Sequence, residues 1–110
     1  MTYPKYLELV GECKKCTTAP AFAAEYGYPD DCEWTASGLI KAVNIIYAVS
    51  RNDFAALVED KNLSAFCRAY NIPRRSAQNW QNGARKAPNY VVQMIGFALI
   101  AECEKERAED

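Results

Sequence analysis

The chain contains no histidine. It therefore lacks the commonest general base and the commonest nitrogen ligand for zinc. No glycine-rich phosphate loop or paired-carboxylate signature compensates, and Asp30, Asp31 and Glu33 read as a solvated acidic loop. No enzymatic activity is expected. Long apolar runs are missing as well. The opening MTYPKYLELVGECKK has no uninterrupted apolar stretch of signal-peptide length, and the most apolar windows, 39–49 and 90–101, are too short to cross a bilayer. A cytoplasmic protein with no membrane partner is expected. The five cysteines (Cys13, Cys16, Cys32, Cys67 and Cys103) are odd in number, which argues against a disulfide framework. Cys13, Cys16 and Cys32 offer three thiols but no fourth zinc ligand, and they sit beside Lys, Glu or Asp in segments expected to be exposed. Neither a metal nor a cofactor is expected.

The most informative absence is local. Residues 61–100 contain no acidic side chain, yet they carry Lys61, Arg68, Arg74, Arg75, Arg85 and Lys86, a charge of +6. Residues 1–60 hold five basic and nine acidic groups, −4, and residues 101–110 hold two and five, −3. A net charge of −1 thus conceals one basic patch in an otherwise acidic protein, the footprint expected for a phosphate backbone. With 110 residues, half hydrophobic and a quarter charged, the chain forms one domain around a modest core.

The basic stretch has an internal order. In LSAFCRAYNIPRRSAQNWQNG, residues 63–83, Leu63, Phe66, Cys67 and Tyr70 recur at helical spacing. Asn71 tolerates positive φ and can reverse the chain in one step, and Ile72 points back toward the core. Pro73 suits the first turn of a new helix. That second helix turns Ala77 and Trp80 inward and stops at Asn82-Gly83. Arg74, Arg75, Gln78, Asn79 and Gln81 are left outside, with no acid among them. Arginine can bond guanine through two donors, and glutamine or asparagine can do the same for adenine.

This segment resembles the helix-turn-helix of the lambda-repressor-like (Cro/C1, Xre-type) DNA-binding family. The resemblance covers about residues 60–95 and is closest to small bacterial and phage proteins with an IPxRTxQNWExGxRxPPxYV stretch, here IPRRSAQNWQNGARKAPNYV. It implies a motif core of Phe66, Cys67, Asn71, Ile72, Ala77 and Trp80. Cys67 stands at the family's small buried residue and Asn71 at its turn glycine. Ala77 is smaller than the usual aliphatic, so packing is expected to lean on Trp80. Gln81 replaces a frequent Glu and removes a negative charge near DNA. A major-groove docking follows, with Arg74, Arg75, Gln78 and Asn79 as base readers and Lys61, Arg68, Arg85 and Lys86 on phosphates.

Elsewhere the pattern is all-α: a bundle of about five helices, with 1–34 an extension of uncertain structure and 35–104 the core. Residues 3–10 read as a short helix or strand cut by Gly11. Thr17 or Thr18 starts a helix with Pro20 in its first turn, ended by Gly27, and Asp30 or Asp31 can cap the next segment. Residues 35–49 read as the central helix, capped by Thr35 or Ser37, with Leu39, Ile40, Val43, Ile46 and Tyr47 at helical spacings. Residues 50–53 break it, and 54–58 form a short turn or helix. The basic residues 83–87 form a flexible loop before a last helix from Pro88 to about Glu104. That helix is apolar nearly all round over 90–100, and Gly96 allows close helix approach. Its surplus face calls for cover, either by a second copy in a homodimer or by the N-terminal segment. Residues 21–31 echo 65–75, with Asp30-Asp31 where the other copy has Arg74-Arg75; a shortened repeat and chance similarity both fit.

Two functions fit. One is a sequence-specific double-stranded DNA-binding protein, a small bacterial or phage-type transcriptional regulator. The other is a protein-binding module on the same fold, an antitoxin or phage anti-defence protein, with the acidic N-terminal half as its surface. The bare basic helix face favours the first, because it has no structural purpose.

Overall fold

In the computed structural model of the chain, helix α3, Ala36–Ser50, is the element against which α1, α2, α4 and α7 lie. The structure describes residues 2–26 and 36–109, and the side chains of 2–25 and 38–102. It is all-helical, with seven helices rather than about five among the described residues, and no strand. They are α1 Tyr3–Cys13, α2 Ala19–Tyr26, α3, α4 Phe54–Leu57, α5 Leu63–Tyr70, α6 Arg74–Gln81 and α7 Asn89–Glu109. The expectations for Gly27, Asp30, Asp31, Cys32, Glu33 and Thr35, for the Ser37 and Cys103 side chains, and for the second half of the internal echo fall outside the described residues.

The N-terminal segment belongs to the core. Thr2 caps α1 by accepting from the Lys5 amide at 3.3 Å. The helix runs through Gly11 to Cys13, where the sequence led us to expect a break. Its buried stripe of Tyr6, Leu9, Val10 and Cys13 explains this. A glycine in a helix costs about 1 kcal/mol. Burying one large side chain contributes about 1.5–3 kcal/mol. Thr18 starts α2 by accepting from the Ala21 amide at 3.1 Å, and Phe22 of that helix is buried.

On α3 the buried stripe is Ala42, Val43, Ile46 and Val49. Ile40, expected on that stripe, is 54% exposed, because it lies roughly 130° round the helix from the stripe's centre. Arg51, just past α3, donates to the carbonyls of Cys13 and Cys16 and stacks on Tyr47, 4.6 Å from the ring centroid. It ties the α1–α2 turn to the end of α3. Cys13 and Cys16 are therefore buried, not exposed as their charged neighbours implied. Burial pushes both thiols up from the ordinary cysteine value. Among the described residues no group of three metal-ligating side chains comes together.

α7 packs along α3 at Gly96, as expected for a close approach. A Cβ there would lie 2.6 Å from the Tyr6 hydroxyl and would also strike Val49. α1 covers the adjoining side: the Tyr6 hydroxyl donates to the Gln93 carbonyl at 2.6 Å, and the Tyr3 ring meets Phe97 edge-on at 5.0 Å. Tyr90 and Met94, one turn apart, stay 66% and 60% exposed. α7 continues beyond Glu104 because its tail is rich in Ala, Glu, Lys and Arg, all strong helix formers. No helix among the described residues is long and apolar enough to cross a membrane.

Candidate nucleic-acid interface

The basic stretch folds as two eight-residue helices joined by a three-residue turn. Asn62 caps α5 by accepting from the Ala65 amide at 3.0 Å, and Phe66 and Cys67 face inward. Asn71 ends α5 in the left-handed region, at φ 55°, ψ 46°. There its N–H and that of Ile72 both reach the Cys67 carbonyl. Most residues lose roughly 1–2 kcal/mol in this conformation, and asparagine is the usual non-glycine exception. Ile72 turns inward and is half-buried. Pro73, at φ −58°, leads directly into α6.

α6 rests on the core through two residues. Ala77 is fully buried, and Trp80 meets Phe54 edge-on at 5.4 Å. Phe54 also packs edge-on against Phe66 of α5 at 5.9 Å. One ring of the four-residue α4 thus sets both helices, a role the sequence did not disclose. The available signal was slight: Asp53, which caps α4 by accepting from the Ala56 amide, stands directly before a lone aromatic. Tyr70 closes the far side by donating to the Glu102 carboxylate at 2.6 Å.

On α6, the side chains of Arg74, Arg75, Gln78 and Gln81 are exposed and Asn79 is half-buried. Basic groups flank this face at both ends. Arg68 and Arg74 share a cleft of about 390 Å³ with Ser64 and Asn71, where α5 meets the start of α6. Arg85 and Lys86 follow the other end of α6, beside Trp80. Lys61 joins neither group. It pairs with Asp60 at 3.6 Å and lines a separate, mixed-charge groove with Lys41 and Glu102.

The loop carrying Arg85 and Lys86 is tied down, where flexibility was expected. Asn82 accepts from the Ala84 amide at 2.9 Å, and Gly83 takes φ 83°. The Arg85 amide donates back to the Asn79 carbonyl at 3.1 Å. Ala87 is buried, and its carbonyl accepts from the Asn52 side-chain amide at 3.0 Å. Asn52 itself sits at φ 53° in the turn after α3. Nothing in the sequence connected it to this loop, 35 residues away. No protein-family model, curated protein or solved structure matches the chain.

Proposed function

We propose that this protein reads double-stranded DNA, with α5 and α6 as a helix-turn-helix of the lambda-repressor-like kind and α6 lying in the major groove. The observation that carries the reading is the outer face of α6. Arg74, Arg75, Gln78 and Gln81 are exposed there, and the surrounding forty residues supply no acid to pair with them. A helix of eight residues is roughly 12 Å long, and the major groove is about 12 Å wide. A helix of that size fits the groove, and the basic groups near its two ends would face the flanking phosphates while α6 reads the floor. A role in transcriptional regulation in the cytoplasm is the simplest use of such a reader.

Arg75, Gln78 and Asn79 stand at i, i+3 and i+4, which presents all three to one set of base edges. Replacing any of them by Ala should cost about 1–3 kcal/mol on the preferred site and relax preference at one or two base pairs. Arg85→Ala or Lys86→Ala should weaken all sequences alike and lower the salt slope by about one unit. Duplex binding of each variant at several salt concentrations, after selection of a preferred site from a random pool, is the test. If Arg75→Ala and Asn79→Ala keep the wild-type site preference, α6 is not the reader, and a protein-binding role takes its place.

One copy of such a unit reads few base pairs, so we further propose a symmetric homodimer on half-sites separated by about 10 base pairs. The exposed pair Tyr90 and Met94, on the helix that follows the basic loop, is the surface offered to the second copy.

A further inference from the structure

We infer that Asn52 is a positioning residue for the phosphate grip: it holds the Arg85–Lys86 loop in register with α6. The inference rests on the DNA-reading role proposed above. Arg85 and Lys86 are exposed and lie outside any helix, so by themselves they would lose much conformational freedom on gripping a phosphate. Two bonds remove that freedom beforehand. The Arg85 amide is fixed to the Asn79 carbonyl, which ties the start of the pair to the reading helix. The Ala87 carbonyl is fixed to the Asn52 amide, which ties the end of the pair to the turn after α3. Only the second bond comes from outside the reading unit. It also comes from a side chain that the backbone presents in an unusual way, from the left-handed region at φ 53°.

The rest of the Asn52 amide makes its purpose specific. Its Oδ1 atom is buried and has no hydrogen-bond partner among the described residues. The NH2 group that reaches Ala87 is the bonded end of this side chain, and it spans from the turn after α3 to the basic loop. Lys86 and Arg85 line the same small cavity as Asn52, so a shift of this tether moves both cations.

Two replacements isolate the bond. Asn52→Gly keeps the positive φ without strain and deletes the amide. Asn52→Asp keeps the size and removes the donor, leaving an acceptor facing the Ala87 carbonyl. Both should weaken binding to the selected duplex and to its scrambled counterpart alike, by roughly three- to tenfold, with site preference unchanged. In an Arg85→Ala/Lys86→Ala background they should cause no further loss, because the cations they position are gone. Amide exchange at Arg85 should quicken in both variants while that of the α3 interior stays as it was. Wild-type affinity in both variants, or an equal loss in the Arg85→Ala/Lys86→Ala background, overturns the inference and leaves the DNA-reading role standing. A wild-type protein that selects no duplex removes that role and this inference together.

Discussion

Tyr6 is fully buried, and its hydroxyl donates to the Gln93 carbonyl across the α1–α7 contact. Burial, reinforced by the neighbouring Tyr3, raises its pKa well above the ordinary value near 10. The unfolded chain therefore releases this proton first. Below about pH 10 both states keep it and its contribution to stability is constant; above that pH the unfolded state gains by ionising, and stability falls as pH rises. Tyr70 is raised by burial and by its bond to Glu102, so it adds to the same alkaline loss. Tyr6→Phe should cost about 0.5–1.5 kcal/mol at neutral pH through the lost hydrogen bond. It should also make the decline between pH 10 and higher pH shallower than in the wild type. Urea titrations across that range measure both, and an unchanged alkaline slope would show that Tyr6 is not the group responsible. The sequence marked Tyr6 only as part of a doubtful first segment. Its burial depends on α7, 87 residues further on.

Among the elements, α4 is the shortest and holds the α5–α6 pair in place. Phe54 is 2% exposed and touches both Phe66 and Trp80. Phe54→Ala should cost about 3–5 kcal/mol, the usual loss for a truncated core aromatic, and Phe54→Leu clearly less. Denaturant midpoints of the two variants check this, and a loss under 1 kcal/mol for the alanine variant would mean that the pair is held elsewhere. The turn between α5 and α6 was legible because its chemistry is local: an αL-tolerant Asn followed by Ile and Pro allows few conformations. The limits of α1 and α7 were not. Gly11 and the polar tail of α7 send local signals that tertiary burial and helix propensity override.

For the whole molecule the open quantity is the number of copies. α1 covers the Gln93 and Phe97 side of α7, so the apolar excess left over is narrower than the sequence implied. Among the described residues it amounts to Tyr90 and Met94 on α7, with Ile40 on α3 as a further exposed apolar side chain. The proposed dimer should therefore be weak in free solution and form chiefly on DNA, where two half-sites bring the copies together. Sedimentation should find mostly monomer without DNA and two copies per duplex on the selected site. Tyr90→Glu with Met94→Glu should abolish the second copy while one copy still binds. A single copy on the best duplex for the wild type would rule the dimer out.

The chain's own order determined whatever depends on near neighbours. The inward Ala77 and Trp80, the outward Arg74, Arg75 and Gln78, the left-handed Asn71 and the acid-free stretch around them all follow from residue type and helical period. Close approach at Gly96 belongs here too, since only the smallest residue can stand in an otherwise apolar helix face that a neighbour must meet. Tertiary structure decided the pairings that sequence separation hides. Arg51 gathers the Cys13 and Cys16 carbonyls, Phe54 joins α5 to α6, and Asn52 reaches Ala87. Each of these is a contact between segments brought together by packing on α3, and no periodicity or turn signal in either segment specifies the other.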